Sequence, residues 1–219
     1  MKFSDFLNKY LFPPKCVFCR RVIEKDGVCN KCKASLPYRS SKESEEPIMF
    51  VDGAYSYFHY EGDVRNSLLR YKFGGLSKYS VDFAVYLEEC IQENLSGEFD
   101  VLSWIPLSRK RLKSRGYDQA RLLAEEVAIR LQTKLCRTLK KSRDTAPQTR
   151  QKDASGRVAN VLGAYEVSSF DPAGKKILLI DDVLTTGSTA SECARILKTA
   201  GAEKVYLVTV AKTRARKKN

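Results

Sequence analysis

The 219-residue chain has a single histidine and no apolar run that approaches the length of a membrane span. Because a spanning helix needs about 20 apolar residues, we predict no membrane span. Residues 1–15 contain an acidic residue and two adjacent prolines where a secretory signal keeps an apolar stretch and a small-residue cleavage site. We therefore expect a soluble, cytoplasmic protein. His59 lies among aromatic residues, which favours a packed side chain over a catalytic or metal-binding one.

The chain also lacks both common nucleotide-binding fingerprints, GxxxxGK[ST] and GxGxxG. It has instead ILLIDDVLTTGSTA at residues 177–190, an apolar run followed by Asp181, Asp182 and a turn of small and hydroxyl residues. A helix that opens near Ser188 and Thr189 would aim backbone N–H groups and its dipole at an anion such as phosphate. The adjacent carboxylates can accept hydrogen bonds from vicinal hydroxyls or hold hydrated magnesium through waters. A sugar that carries a phosphate satisfies both halves of this pattern.

Four of the seven cysteines are clustered in CVFCRRVIEKDGVCNKC, residues 16–32. Two CxxC pairs at this spacing predict a structural zinc site. Disulfides are disfavoured by the expected cytosolic context, and a redox pair is disfavoured because the CxxC unit is doubled without a surrounding βαβ pattern. The expected zinc ligands are Cys16, Cys19, Cys29 and Cys32.

Strand-like and helix-like patterns alternate from residue 99 onwards, after a strand-rich stretch at 48–62 and a helical one at 63–75. This alternation predicts an α/β fold with a parallel sheet, and such sheets bind ligands at the carboxyl ends of their strands, where residues 181–189 would lie. The predicted strands are 99–107, 175–180 and 204–211, and the predicted helices are 117–132 and 189–201.

Lys and Arg outnumber Asp and Glu by 39 to 26, which gives a net charge of +13. This excess favours phosphate-rich partners, either nucleic acid or phosphorylated metabolites, although a basic surface can also serve solubility alone. Five basic residues fall within 109–115, beside Tyr117, and three more are Lys140, Lys141 and Arg143. The tail at 212–219 either binds phosphates nonspecifically or is simply solvated.

The stretch at 177–190 resembles the phosphoribosyl pyrophosphate (PRPP) motif of type I phosphoribosyltransferases. That resemblance implies a type I phosphoribosyltransferase-like fold and magnesium bound with PRPP. It implies that Asp181 and Asp182 are the catalytic pair facing the ribose hydroxyls. It also implies that the 5′-phosphate lies in a loop made by Thr185, Thr186, Gly187, Ser188 and Thr189.

The four-cysteine segment, YKFGG, IPLSRKRLKSRGYDQA, TAPQTRQKDASGRVANVLGAY and the PRPP motif follow one another along the chain. In this order they resemble the ComF family of bacterial competence proteins. The resemblance implies a zinc module at 1–38, a linker at 39–47, a phosphoribosyltransferase-like domain at 48–211 and a basic tail at 212–219. It also implies a part in handling single-stranded DNA during natural transformation.

The basic cluster is open to two roles, because phosphoribosyltransferases bind pyrophosphate in the loop after the corresponding strand. Pyrophosphate or DNA is therefore the expected ligand of Ser108, Arg109, Lys110, Arg111 and Arg115. Residues 137–157 resemble the mobile loop that closes over PRPP and excludes water. The positions that match its recurring residues are Arg143, Gln148, Arg157 and Asn160.

Two functions remain open from the sequence. The first is an adaptor that handles single-stranded DNA, retains PRPP binding and works with other competence proteins such as a DNA helicase or translocase. The second is an active phosphoribosyltransferase that transfers ribose 5-phosphate from PRPP to an acceptor. The fold alone does not choose between them, and we favour the first.

Overall fold

A parallel four-stranded sheet forms the centre of the computed structural model, which describes residues 13–39, 47–143 and 162–214. The sheet has the strand order β1-β6-β5-β2, and all three pairings are parallel, which confirms the predicted sheet. A separate antiparallel hairpin pairs β3 with β4. The strands are β1 (Gly53–His59), β2 (Val101–Trp104), β3 (Leu139–Lys141), β4 (Tyr165–Val167), β5 (Lys176–Leu184) and β6 (Lys204–Lys212).

Helices cover both faces of this sheet. Strand β5 explains the need, because its ILLI run alternates Ile177 and Leu179 on one face with Leu178 and Ile180 on the other, and all four side chains are buried. A strand buried on both faces reads as a continuous apolar run. The described helices are α1 (Asn30–Ser35), α2 (Gly62–Phe73), α3 (Tyr79–Leu95), α4 (Arg109–Arg115), α5 (Gln119–Leu131) and α6 (Ser188–Thr199).

Helices α2, α3 and α5 contribute to the larger core, and α6 packs on the opposite face. The predicted helices at 63–75, 117–132 and 189–201 correspond to α2, α5 and α6. Three of the described helices were not predicted: α1 in the cysteine segment, α3, and α4 within the basic cluster. Among the described residues, no helix is both long and apolar enough to traverse a lipid bilayer.

The cysteine-containing segment joins the larger core rather than standing apart. Phe18, between the first two cysteines, packs its ring 5.6 Å from Phe58 and 6.0 Å from Phe83, between ring centroids. Helix α2 holds the same turn, since Ser67 Oγ donates to the Val17 carbonyl at 2.7 Å and Arg70 donates to it at 3.0 Å. The proposed linker at 39–47 lies mostly outside the described residues.

Candidate functional site

The carboxyl end of β5 leads directly into the predicted phosphate loop. Strand β5 ends at Leu184, residues 185–187 turn, and α6 begins at Ser188. Gly187 precedes α6 with φ +76°, and a Cβ there would lie 3.1 Å from the Ile48 side chain. The positive φ favours glycine at this position, and any Cβ there would also require the Ile48 side chain to shift.

The loop places hydroxyl side chains next to a helix N-terminus. Thr186 Oγ1 and Ser188 Oγ are 2.9 Å apart, while Thr185 and Thr186 are exposed. The first turn of the 12-residue helix α6 presents backbone N–H groups at the positive end of the helix dipole. The arrangement is that of an anion-binding loop.

The two acidic residues occupy different electrostatic settings. Lys72 Nζ lies 2.9 Å from Asp182 Oδ1, with both side chains largely buried. Asp181 Oδ1 accepts a hydrogen bond from the Asp182 backbone N–H at 2.8 Å. Burial and the neighbouring Asp182 carboxylate raise the pKa of Asp181 to about 7, although the Lys72 charge opposes this shift. The protonated form of Asp181 is therefore favoured more than is usual for an aspartate.

A cavity of about 570 Å³ brings the acidic pair and the loop together. We call it the acidic-pair cavity. Thr185, Gly187 and Thr189 contribute to its wall, as do Asp181 and Asp182. Thr186 and Ser188 belong to the same loop but not to the cavity lining.

The basic cluster at 109–115 forms helix α4, and the position of each residue on the helix determines which cavity, if any, it lines. Arg111 and Arg115, one turn apart, line the acidic-pair cavity. Ser108 is buried and caps α4, because its Oγ accepts a hydrogen bond from the Arg111 backbone N–H at 3.4 Å. Arg109 is exposed and faces a different cavity, and Lys110 is exposed and lines neither.

That second cavity, which we call the basic groove, has a volume of about 1280 Å³ and runs between helices α4 and α5 and the β3–β4 hairpin. It meets the acidic-pair cavity at Pro106, Leu107 and Lys141, which line both. The basic residues that line the groove are Arg109, Arg121, Arg137, Lys140, Lys141 and Arg143.

One of the four residues predicted for the mobile loop is described. Arg143 lines the basic groove, and its Nη2 donates to the Leu162 carbonyl at 2.6 Å. Gln148, Arg157 and Asn160 lie outside the described residues. Most of the basic tail does so as well, although Arg214 Nη2 lies 3.0 Å from Glu61 Oε1.

The four predicted zinc ligands converge on one point. The Sγ atoms of Cys16, Cys19, Cys29 and Cys32 all lie within 4.8 Å of one another, and those of Cys19 and Cys29 are 3.6 Å apart. Tetrahedral zinc with Zn–S bonds of about 2.3 Å separates its sulfurs by about 3.8 Å. The Cys32 backbone N–H lowers the pKa of Cys29 to about 7, whereas burial raises the pKa values of Cys19 and Cys32, so a bound cation would be needed to keep all four groups as thiolates. The residues fit a structural zinc site.

The structure places three side chains in the walls of the two cavities in ways that the sequence did not predict. Lys72 and Phe73 both line the acidic-pair cavity, and the sequence assigned neither of them a role. The available signal was their position in YKFGG, at the end of a predicted helix. Tyr117, which follows the basic cluster in the sequence, lines the basic groove, while its hydroxyl donates to the Tyr71 carbonyl and its ring packs 5.8 Å from the Tyr71 ring.

Comparisons with known families agree with this architecture. A profile described as "Phosphoribosyl transferase domain" matches residues 118–219, which include the acidic pair and its loop. A profile described as "Double zinc ribbon domain" matches residues 7–43, which include all four clustered cysteines. The expected type I phosphoribosyltransferase-like fold with an N-terminal four-cysteine module is confirmed.

Three curated relatives are named as competence proteins. The chain is 32% identical to "Competence protein ComFC" of Streptococcus pneumoniae, over 68% of this chain but only 63% of that protein. It is 26% identical to "Competence protein ComFC" of Bacillus subtilis, over 85% of this chain and 72% of that protein. The match to "Competence protein F" of Haemophilus influenzae has 32% identity over 88% of this chain and 87% of that protein. Agreement along so much of both sequences places this chain in the ComF family of competence proteins.

Proposed function

We propose that the chain binds PRPP with magnesium in the acidic-pair cavity and single-stranded DNA along the basic groove, and that it handles DNA in the cytoplasm during natural transformation. The observation that carries this proposal is the meeting of the two cavities at Pro106, Leu107 and Lys141. An anion-binding loop and a basic groove that share a wall suit a protein that holds a phosphoribosyl group beside a nucleic acid backbone.

Each part of PRPP has a chemical counterpart in the acidic-pair cavity. The loop at 185–189 and the N-terminus of α6 suit the 5′-phosphate. The carboxylates of Asp181 and Asp182 suit the ribose hydroxyls. Arg111 and Arg115 supply positive charge for the pyrophosphate.

Magnesium prefers carboxylate oxygens together with the phosphate oxygens of a substrate. Asp181 and Asp182 provide such oxygens, although the Lys72 ammonium already occupies one side of Asp182 at 2.9 Å. The donor set therefore fits a cation that is bound chiefly by PRPP and supported by Asp181. When bound, the ion would neutralise charge on the pyrophosphate.

The basic groove suits a sugar-phosphate backbone because its basic side chains outnumber its acidic ones. Lys140 pairs with Glu166 at 3.0 Å, and Arg121 pairs with Glu125 at 2.8 Å. Both pairs are substantially exposed, so the attraction within each pair is weak and a phosphate can compete for the cation. Arg109 and Arg143 extend the positive surface toward the junction with the acidic-pair cavity.

Titration calorimetry of PRPP with magnesium tests the first half of the proposal. We expect wild-type protein to bind and the double variant Asp181→Asn, Asp182→Asn to lose most of its affinity, because amides do not carry the negative charge that hydroxyls and magnesium require. The matched control is Asp171→Asn, Glu203→Gln, which removes two exposed carboxylates outside the cavity lining. Equal PRPP affinity in all three proteins would remove the assignment of the acidic pair.

An active phosphoribosyltransferase is the second candidate, favoured by Arg111 and Arg115 in the same cavity as the acidic pair. There they would stabilise pyrophosphate as it leaves the anomeric carbon. Pyrophosphate released from PRPP, dependent on an added acceptor or on DNA and lost in the double Asn variant, would establish this activity. PRPP binding without turnover under the same conditions supports the adaptor role.

We also propose that the cysteine cluster holds one structural zinc ion, supported by the convergence of its four sulfurs. Such a site stabilises a short segment that has little core of its own.

Partner proteins of the competence machinery, such as a DNA helicase or translocase, would act on the DNA that this chain holds. Co-purification with and without nuclease treatment separates direct contact from bridging by DNA.

A further inference from the structure

Phe73 is an exposed aromatic side chain at the mouth of the acidic-pair cavity. It is the last residue of α2, it lines the cavity, and 67% of its surface is accessible to solvent. Among the described aromatic residues only Tyr38, Phe50 and Phe73 are exposed, and Phe73 has the largest exposed fraction of the three. An exposed ring in the wall of a polar cavity is therefore available to a ligand.

A cation lies over this ring and is itself held in place. The guanidinium carbon of Arg115 lies 4.9 Å from the centroid of the Phe73 ring. Arg115 Nη1 also donates to Gln119 Oε1 at 2.7 Å, and Gln119 is buried. Arg115 is thus fixed from α5, and the ring and guanidinium form a preorganised pair.

The residue next to Phe73 connects this pair to the acidic residues. Lys72 precedes Phe73 and contacts Asp182 at 2.9 Å. The cavity has anchors for a phosphate and for ribose hydroxyls, and the component of a nucleotide that still lacks a contact is the base.

Aromatic rings and guanidinium planes are the groups on which nucleobases stack in proteins that bind single strands. Tyr117 is half-buried, contacts Tyr71 through its hydroxyl and its ring, and lines the basic groove rather than the acidic-pair cavity. Phe73 lines the acidic-pair cavity, contacts the Arg115 guanidinium and is 67% exposed, so part of its ring is open to a ligand.

We propose that Phe73 and Arg115 form a stacking platform for a nucleobase at the acidic-pair cavity. This inference rests on the proposed function, because it assumes that the cavity receives a phosphoribosyl group or a DNA strand. The base can come from single-stranded DNA or from a free base or nucleotide. Both sources share one chemistry, a flat π system next to a sugar-phosphate.

The test compares Phe73→Ala with Phe73→Trp and with Ile129→Ala. Ile129 is 71% exposed on α5 and lines neither cavity, so its truncation controls for loss of an exposed apolar side chain. Each protein is titrated with oligo-dT, with an abasic strand of equal length, with dTMP and AMP, and with PRPP. Affinity is measured by anisotropy or calorimetry.

We expect Phe73→Ala to weaken oligo-dT binding by about tenfold, while Phe73→Trp and Ile129→Ala bind as wild type does. The abasic strand and PRPP should bind all four proteins equally, because neither carries a base. In Phe73→Trp, a base should quench the new tryptophan fluorescence and PRPP should not. If the tenfold loss and the quenching appear with dTMP or AMP instead of oligo-dT, the platform serves a free nucleotide.

Failure of the platform and failure of the proposed function give different results. Wild-type binding of PRPP and oligo-dT with no difference between Phe73→Ala and Ile129→Ala overturns the platform and leaves the proposed function standing. Absence of binding to PRPP, to DNA and to the mononucleotides in the wild type overturns both. Equal losses for oligo-dT and the abasic strand also overturn the platform, because stacking cannot explain them.

Discussion

Asp181 contributes a carboxyl group whose ionisation opposes folding. Its pKa is raised from 3.8 to about 7 by burial and by the charge of Asp182. The native state therefore binds more protons than the unfolded state between these two values. It follows that this residue lowers the free energy of unfolding as the pH rises from about 4 to 7. A loss of stability of this kind is typical of a functional group whose charge is held where it is needed.

Replacement of Asp181 by Asn should remove this pH dependence. At pH 8 the variant should be more stable than wild type by roughly 2–4 kcal/mol, and near pH 4 the two should be similar, since a protonated Asp resembles Asn. Thermal unfolding without added magnesium measures the effect, with Glu203→Gln as an exposed control. Parallel pH profiles for wild type and Asp181→Asn would contradict the raised pKa.

Gly187 lies in the loop for which we propose phosphate binding, and both its positive φ and its lack of a Cβ suit that position. We expect Gly187→Val to lose PRPP affinity and about 1–3 kcal/mol of stability, because valine disfavours a φ of +76° and its Cβ would meet Ile48. Gly174→Val is the control, since Gly174 has φ +66° and no atom within 4 Å of a built Cβ. Calorimetry with PRPP should detect a loss only in the first variant. A similar loss of PRPP affinity in both variants would refute a local role for Gly187.

At the scale of elements, α4 divides the basic cluster between two cavities. We predict that Arg111→Ala weakens PRPP binding at least tenfold, because Arg111 lines the acidic-pair cavity, in which we propose that the pyrophosphate binds. Lys113→Ala removes the same charge from an exposed position of the same helix that lines neither cavity, so it should bind PRPP normally. Equal effects of the two substitutions would mean that net charge, rather than position, governs PRPP affinity.

The cysteine segment is expected to stabilise the elements against which it packs. The double variant Cys29→Ser, Cys32→Ser should lose the bound zinc, expected at about one per molecule, and should unfold at a markedly lower temperature. Cys136→Ser removes a free cysteine outside the cluster and should keep both properties. Elemental analysis and calorimetry measure zinc and stability. If wild-type protein contained no metal and melted at the same temperature as the double cysteine variant, a structural metal would be excluded.

The predictable elements were those whose signal is local. The ILLI run and the following acidic pair predict a buried strand with a site at its end, and CxxC spacing predicts the sulfur cluster. The ion pair of Lys72 with Asp182 was not predictable, because it joins residues 110 positions apart through the packing of α2. Likewise, Tyr117 and Phe73 are both aromatic residues near basic ones, and only the tertiary packing decides which ring is exposed.

At the scale of the whole molecule, the net charge of +13 should make DNA binding dependent on salt and tolerant of sequence. Each phosphate contact with a single strand contributes a slope of about 0.7 on a log–log plot of affinity against salt. Arg109→Ala, Arg143→Ala should therefore reduce the slope by about 1.4. The control is Lys175→Ala, Lys204→Ala, at the opposite ends of β5 and β6 from the site. An unchanged slope in the groove variant would move the DNA elsewhere on the surface.

Ser67 and Arg70 of helix α2 donate hydrogen bonds to the turn between the first two cysteines. About half a helical turn later, Lys72 of the same helix forms an ion pair with Asp182. The chain therefore cannot be divided at the start of β1 into two working parts. A fragment that begins there would uncover Phe58 and Phe83, which Phe18 covers in the whole chain. Loss of ligand binding in such a fragment would report a loosened helix rather than a ligand contact made by the missing segment.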